Sequence, residues 1–307
     1  MDRLEETLNK KTIPTDRLML PLLAANDIEV DVLRLDLIDP VISGNKWFKL
    51  KNYLAIAKEK NLRTVLTFGG AFSNHIVATA CATFRAGLLS IGIIRGEESR
   101  NLSHTLLTAA GFGMKFEYLS RAEYRTIKSE SLIPELARKY PDSFIVPEGG
   151  AGPPGIEGAA DILKLAEKKP YDEIICAIGT GTMFAGLAIG SESQQFIRGI
   201  SVLKGIQEKG IPFQKEIENK KKINYCAVHY DYHFGGYAKK NDALFYFMNH
   251  LYEESGIPTD FVYTAKLFYA VVDLVRKKQF SPGSRLLIIH SGGLQGNRSL
   301  KPGTLIF

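Results

Sequence analysis

Short apolar runs alternate with helical patterns along most of this 307-residue chain, and the alternation limits the folds open to it. An apolar run at residues 64–68 ends at two glycines, and a helical pattern follows at about residues 74–85. The same order recurs at residues 173–177 and from about residue 183. Alternating strands and helices predict an α/β fold with largely parallel sheets flanked by helices. Further strands are predicted at residues 89–94, 115–119, 200–203, 224–228 and 285–290, and further helices near residues 102–110, 135–139, 156–168, 242–254 and 264–277.

Two domains are expected, because a chain of this length can bury two cores. A stretch rich in Gly and Pro at residues 146–155 separates the first α/β unit from the second. The extended segment at residues 30–37 has no strand–helix–strand unit beside it, so we assign it to the second unit. We therefore predict a larger discontinuous domain (residues 1–50 and 145–307) and a smaller inserted α/β domain (residues 51–144).

The composition is that of an ordinary globular protein, with 45% hydrophobic and 23% charged residues. Its apolar runs are far shorter than the roughly 20 residues that cross a bilayer, and the first residues lack the apolar core of a secretory signal. The three cysteines, Cys81, Cys176 and Cys226, are odd in number and show no C-x-x-C spacing. We therefore expect a cytoplasmic protein with reduced cysteines, no membrane contact and no metal site.

The net charge of +6 is modest for a chain of this size. Its longest basic cluster, residues 220–222, is expected to be solvated surface. Nucleic-acid binding would require a stripe of basic residues interleaved with aromatic ones, and the sequence shows none. We therefore expect no nucleic-acid partner, and the positive charge instead suits a small anionic ligand.

One lysine occupies a position where its chemistry can matter. Lys46 follows a Gly-Asn turn, opens a predicted helix and precedes two aromatic residues in the segment SGNKWFKL. Burial lowers the pKa of a lysine, and a neutral amine can hold an aldehyde as a Schiff base. The structural alternative is a surface lysine at a helix start, which is what we expect of Lys49 and Lys51.

A glycine-rich segment, GTGTMFAG at residues 179–186, lies between a predicted strand and a predicted helix. Its glycines let backbone N–H groups approach a phosphate, its threonines add hydroxyl donors, and the helix N-terminus favours an anion. A purely structural strand–helix turn is the alternative. A dinucleotide site would need a further glycine at position 184, where the chain has Phe184.

A third segment, FGGAFSNH, places Ser73 and Asn74 after a strand and at the start of a helix. Serine and asparagine are both common N-caps, which is the structural interpretation. An amine, a phosphate-binding turn and polar groups between them are the parts that a pyridoxal 5′-phosphate (PLP) enzyme needs. The three segments together predict such an enzyme more strongly than an NAD-binding protein or a PLP-fold protein without activity.

These segments resemble the 1-aminocyclopropane-1-carboxylate (ACC) deaminase/D-cysteine desulfhydrase family of PLP enzymes. The resemblance runs over residues 33–293 and implies the two-domain tryptophan synthase β-like fold, known as PLP fold type II. It also implies a homodimer that acts on a small amino acid. One departure is Phe48, which stands where the family usually has an arginine.

The resemblance also assigns roles to residues. It implies that Lys46 carries the cofactor, that Asn74 bonds the ring hydroxyl, and that Ser73 transfers protons or acts as a nucleophile. It implies a substrate-binding role for Ser73, Asn74, His75 and Tyr237, with Tyr237 and Tyr263 also counted as catalytic. The residues expected to bind the cofactor are Lys46, Asn74, Gly179, Thr180, Gly181, Thr182, Met183, Tyr263, Thr264 and Ser291.

Two of these positions bear on the reaction. ACC deaminases typically carry Glu and Leu at the positions of Thr264 and Ser291, whereas D-cysteine desulfhydrases typically carry hydroxyl residues. The resemblance therefore favours β-elimination from D-cysteine, which gives pyruvate, sulfide and ammonia. Ring opening of ACC to 2-oxobutyrate and ammonia, or a lyase or racemase reaction on another D-amino acid, stays open.

Overall fold

The computed structural model describes residues 12–126, 132–166, 169–220 and 222–307. The strands of this part of the chain form two sheets, one of six strands and one of four. In chain order they are β1 (Thr15–Arg17), β2 (Glu29–Arg34), β3 (Thr64–Gly70), β4 (Leu89–Arg95), β5 (Lys115–Leu119), β6 (Ser143–Val146), β7 (Glu173–Ile178), β8 (Phe196–Ser201), β9 (Cys226–His229) and β10 (Arg285–His290). The α/β class predicted from the alternating pattern is confirmed.

Helices connect and cover these strands. In chain order they are α1 (Pro21–Ala25), α2 (Lys46–Glu59), α3 (Asn74–Arg85), α4 (His104–Gly111), α5 (Arg121–Thr126), α6 (Leu132–Lys139), α7 (Pro153–Ala160), α8 (Thr182–Gly190), α9 (Gln214–Asn219), α10 (Asp242–Ser255) and α11 (Thr264–Arg276). Side-chain oxygens of Ser73, Ser103 and Asn241 accept hydrogen bonds from backbone N–H groups at the starts of α3, α4 and α10. Within the described ranges, no helix has the length and apolar character needed to cross a membrane.

The larger sheet has the order β1-β2-β10-β7-β8-β9, and its strands are parallel except for the β1–β2 pair. Alternate residues of β10 pack on opposite faces. Leu287 and Ile289 join a core cluster with residues of α2, α7 and α8, whereas Leu286 and Ile288 join one with α11. This two-sided burial explains the continuous apolar run at the β10 position.

The smaller sheet has the order β5-β4-β3-β6, with every pair parallel. Its strands lie between β2 and β7 in sequence. The predicted boundary between residues 144 and 145 falls inside β6, and the one between residues 50 and 51 falls inside α2. The exact residues at which the chain passes between the two predicted domains therefore stay a prediction.

The predicted bounds of β5 and β10 match the structure, but those of other elements shift. The strand predicted at residues 200–203 instead spans Phe196–Ser201. Its first residues were missed because Arg198, which pairs with Glu173 of the neighbouring strand β7, interrupts the apolar pattern. The helix predicted at residues 156–168 instead begins at Pro153, continues as a 3-10 turn over Asp161–Leu165, and its predicted end lies outside the described residues.

In the basic cluster at residues 220–222, Lys220 is exposed as expected, but Lys222 departs from expectation. Lys222 is buried, with its amine donating to the carbonyl of Glu192, so it is not solvated surface. Residue 221 lies outside the described part of the chain, as do residues 1–11 that bore on a secretory signal.

Candidate active site

A cavity of about 940 Å³ lies where the carboxyl ends of both sheets meet. Three adjacent parallel strands of the larger sheet, β2, β10 and β7, lead into it, as do β3, β4 and β6 of the smaller one. Ligands of open parallel sheets bind at this edge because the strand–helix turns converge there. Eleven predicted site residues line the cavity: Lys46, Ser73, Asn74, His75, Gly179, Thr180, Gly181, Met183, Tyr237, Tyr263 and Ser291.

The turn before Lys46 is bonded directly to the loop after β10. Gly44 has φ +68°, and a Cβ added there would lie 1.7 Å from the Ser291 carbonyl oxygen. The Asn45 N–H donates to that same oxygen at 3.3 Å, and the Gly44 N–H donates to the Leu35 carbonyl at 3.0 Å. The glycine therefore allows two backbones to approach closely, which places Lys46 beside Ser291 in the cavity.

Burial shifts the Lys46 amine toward its neutral form. Its Nζ lies 3.1 Å from Oδ1 of Asn45, whose Nδ2 lies 3.3 Å from the Met183 sulfur. Burial lowers the pKa of Lys46 to about 8, and the negative charge of Asp260 offsets part of that effect. The lowered pKa agrees with the desolvation expected from the sequence.

We expect the apoprotein to react with PLP faster as the pH rises through about 8. The neutral amine is the reacting form, and the pKa of Lys46 has moved from 10.5 to about 8. The rate is followed by cofactor absorbance between about pH 6 and 10, with butylamine as a matched amine that corrects for titration of PLP itself. A midpoint that stays near that of butylamine would contradict the lowered pKa.

Lys49 is buried, so the expectation that it is a surface lysine is wrong. It is 4% exposed and lines the cavity three residues after Lys46, on the same side of α2. Burial and the positive charge of Lys46 lower the pKa of Lys49 well below its usual value. Lys51 instead forms an ion pair with Asp161 outside the cavity. The spacing of three residues between Lys46 and Lys49, which puts both on one side of a helix, is the sequence signal that could have placed Lys49 in the site.

His75 is a neutral side chain in the cavity wall. Its Nε2 lies 2.8 Å from the Thr67 hydroxyl, which itself donates to the Val146 carbonyl. Since that hydroxyl hydrogen is already used, Nε2 carries the imidazole proton, and Nδ1 is an acceptor with no partner in the described chain. Burial and the charges of Lys46 and Lys49 lower the pKa of His75 well below its usual value.

The start of α3 supplies both a helix cap and polar groups in the cavity. The Ser73 hydroxyl accepts the His75 N–H at 3.2 Å, so the N-cap interpretation holds, and the residue lines the cavity as well. Oδ1 of Asn74 is buried without a hydrogen-bond partner among the described residues. An unpartnered buried amide oxygen fits a site that is completed by a bound polar group.

The glycine turn after β7 opens toward the cavity. Gly181 has φ +86°, and a Cβ there would lie 2.2 Å from Cβ of Pro212, so only glycine fits. The turn leads into α8, whose first N–H groups favour an anion. The hydroxyls of Thr180 and Thr182 lie 2.9 Å apart. Thr182 is fully buried and does not line the cavity, so it supports Thr180 from behind.

Two tyrosines close one side of the cavity. The rings of Tyr237 and Tyr263 meet edge to face, with centroids 6.0 Å apart. A Cβ added to Gly179 would lie 3.0 Å from the Tyr263 ring, so this ring packs on the glycine turn. Burial raises the pKa of both phenols. A phenol that transfers protons at neutral pH would instead need a lowered pKa. Both phenols therefore stay protonated at neutral pH.

Thr264 does not line the cavity, because its hydroxyl is bonded to a buried carboxylate. Asp260 accepts hydrogen bonds from the N–H groups of Val262, Tyr263 and Thr264 at 2.9 to 3.0 Å, and from the Thr264 hydroxyl at 2.9 Å. This carboxylate caps α11 and holds Tyr263 in place. Sequence reasoning missed Asp260, because it lies four residues before the start of α11 and outside the N-cap position, which is Tyr263.

Lys266 anchors the loop that carries Tyr237. Its fully buried amine donates to the carbonyls of His233 at 2.9 Å and Gly236 at 2.8 Å. Burial lowers the pKa of Lys266 to about 8, with the charge of Asp260 acting in the opposite direction. The loop needs such an anchor, because Phe234 has the sparsely populated φ of 52°.

Replacing Lys266 with methionine is expected to raise KM and lower kcat/KM about tenfold, because two buried carbonyls lose their donor. Cofactor absorbance should be retained, since Lys266 does not line the cavity. Lys277→Met is the matched control, because Lys277 is an exposed lysine that follows the same helix. Equal kinetics for the two variants would contradict a positioning role for Lys266.

Comparisons with known proteins agree with this geometry. Residues 14–292 match the family described as "Pyridoxal-phosphate dependent enzyme". A putative ACC deaminase of Pyrococcus horikoshii is 31% identical, over 87% of this chain and 85% of the relative. A bifunctional mitochondrial D-cysteine desulfhydrase/ACC deaminase of Arabidopsis thaliana is 28% identical, over 92% of this chain and 76% of the relative. The crystal structure of an ACC deaminase homologue superposes with a TM-score of 0.76 at 29% identity, covering 97% of this chain and 96% of the other.

The two sheets and the cavity between them are those of a fold type II PLP enzyme. The chain belongs to the family of PLP-dependent enzymes that contains the ACC deaminases and the D-cysteine desulfhydrases. The orphaned amide of Asn74 and the glycine turn before α8 both fit this cofactor. PLP is thus the cofactor, as the three sequence segments predicted.

Proposed function

We propose that this enzyme eliminates the β-substituent of a small amino acid, with D-cysteine giving pyruvate, sulfide and ammonia. The observation that carries the proposal is Ser291, a hydroxyl residue that lines the cavity beside the Lys46 turn. A hydroxyl near the ring nitrogen favours elimination of a good leaving group over the opening of a cyclopropane. Thr264, bonded to Asp260 behind the cavity wall, supplies a second hydroxyl residue in place of a glutamate.

Each part of the cavity has a proposed task. Lys46 would hold the cofactor aldehyde and would take the α-proton of the substrate. The N–H groups after Gly179 would hold the phosphate, and Lys49, which lines the same cavity, would assist them. Ser73 and Asn74, at the start of α3, hold the substrate carboxylate. When bound, PLP supplies the electron sink that makes α-proton removal and loss of the β-substituent feasible.

The tyrosines and His75 orient the substrate in this proposal. Because their pKa values are raised, Tyr237 and Tyr263 stay protonated and donate hydrogen bonds. His75 stays neutral and presents an acceptor nitrogen. These groups exclude water from the reacting carbon without adding charge beside the amine of Lys46.

The proposal is tested by assaying D-cysteine and ACC side by side with the PLP-loaded protein. We expect pyruvate and sulfide from D-cysteine to form faster than 2-oxobutyrate from ACC. Faster formation of 2-oxobutyrate would make ACC deamination the activity, which the name of the Arabidopsis relative also includes. Inversion of D-cysteine to L-cysteine without release of ammonia would identify a racemase.

Two further properties are proposed from the family resemblance. We propose a homodimer, which light scattering of the purified protein would show as about twice the 34.1 kDa chain mass. We also propose a cytoplasmic location. It is consistent with the three unpaired cysteines, of which Cys81 and Cys176 are buried.

A further inference from the structure

The cavity carries more positive charge than a neutral amino acid requires. Besides Lys46 and Lys49, whose pKa values are lowered by burial, its charged lining residues are Glu148 and three arginines, Arg95, Arg121 and Arg125. In the proposed function, Lys46 and Lys49 serve the cofactor. Three guanidinium groups and one carboxylate therefore remain on the substrate side. One positive charge can balance the substrate α-carboxylate, and at least one more has no counterpart in D-cysteine.

The arginines come from two elements at the carboxyl edge of the smaller sheet. Arg95 ends β4, while Arg121 and Arg125 lie four residues apart on α5, on the same side of that helix. The Arg95 guanidinium lies 5.6 Å from the centre of the Tyr124 ring. Its Nη2 would be 3.5 Å from a methyl group at Gly70, three residues before Ser73. Arg95 therefore adjoins the loop that leads to the predicted carboxylate site.

A buried polar group also faces this cluster. Tyr124 is 6% exposed and lines the cavity, and its hydroxyl lies beside the Glu148 carboxylate. Burial and the nearby Glu148 charge raise its pKa, so the hydroxyl remains a donor. A donor and three guanidinium groups around one space form a site for an oxyanion.

We infer that the substrate is an amino acid whose β-substituent is itself an oxyanion, such as a sulfonate or a phosphate. This inference rests on the proposed β-elimination. The bond from the β-carbon to sulfur or oxygen breaks, and its electron pair leaves with sulfite or phosphate. The α-proton passes to Lys46, and water supplies the keto oxygen of pyruvate as the nitrogen leaves as ammonium. No oxidant or reductant is needed.

The test compares cysteate and O-phosphoserine, each as both enantiomers, with D-cysteine on the PLP-loaded enzyme. We expect kcat/KM for at least one oxyanion substrate to exceed that for D-cysteine. The double variant Arg121→Gln/Arg125→Gln should lower the ratio of the two kcat/KM values by about tenfold or more, since charge-assisted pairs are lost. Arg100→Gln, an exposed arginine outside the cavity lining, is the control and should leave the ratio unchanged.

The outcomes separate this inference from the proposed function. Turnover of D-cysteine alone, or a ratio that the double variant does not change, would overturn the oxyanion site and leave β-elimination standing. If no substrate is turned over, the change in cofactor absorbance on adding each amino acid reports binding. Binding of oxyanion amino acids that depends on Arg121 and Arg125 would then support the site and refute the elimination. Absence of such binding would refute both.

Discussion

Replacing Lys46 with alanine is expected to reduce turnover of the substrate at least about 1,000-fold, because the variant loses the group that holds the aldehyde and accepts the α-proton. The cavity places this amine next to Ser291 and the start of α8, and lowers its pKa to about 8. Product formation and cofactor absorbance are measured on the same preparation. We expect PLP to be removed by gel filtration from the variant but not from the parent protein.

Lys51→Ala is the matched control on the same helix. Lys51 pairs with Asp161 and does not line the cavity, so its loss should cost no more than about 1 kcal/mol of stability and leave turnover intact. Lys49→Met provides a second comparison, in which we expect weaker cofactor binding with the covalent link retained. A Lys46→Ala protein that turns over substrate at the parent rate would contradict the assignment.

The second large effect is expected from Gly44→Ala. An alanine at a left-handed glycine position carries the strain of a positive φ, about 1–2 kcal/mol. At Gly44 the new methyl would also lie 1.7 Å from the Ser291 carbonyl oxygen, so the two backbones must separate. We expect a loss of about 4 kcal/mol or more in the free energy of unfolding, measured by urea titration.

Gly87→Ala separates the clash from the strain. Gly87 has φ +72°, close to the φ of Gly44, but no atom lies within 4 Å of its added Cβ. This variant should therefore show the strain alone and bind PLP normally. Equal losses of stability at positions 44 and 87 would mean that the contact between the Lys46 turn and the loop after β10 is not important.

The parts of the site that could be predicted are those written in contiguous residues. Lys46, the Ser73-Asn74 pair and the turn at Gly179 each follow a local rule about glycines and helix starts. The structure brings the three together because each follows the carboxyl end of a parallel strand. The sequence predicted one site from the three segments because a PLP enzyme needs all three parts, and not from the order of the strands.

The parts that could not be predicted depend on which way a side chain faces. Lys49 and Lys51 belong to the same charged helix, and only the packing of α2 decides that Lys49 is 4% exposed while Lys51 reaches Asp161. Thr264 has a hydroxyl that could contact the cofactor, but in the structure this hydroxyl donates its hydrogen bond to Asp260. The arginine cluster comes from β4 and α5, so no sequence window contains it.

The environment of Phe48 also could not be predicted from the sequence. The family resemblance marked it as a departure at an arginine position, yet the ring is 2% exposed and belongs to the core cluster of the larger sheet. Its backbone contacts α7 so closely that a Cβ at Gly158 would lie 2.0 Å from the Phe48 oxygen. Phe48 therefore stabilises the packing of α2, the helix that presents Lys46.

The most direct test of the account is to reduce the PLP-loaded protein with borohydride, digest it and locate the pyridoxyl group by mass spectrometry. The account predicts a single modified peptide, with the label on Lys46. A label on Lys49, on Lys266 or on any other lysine, or a cofactor that borohydride does not fix to the protein, would contradict it.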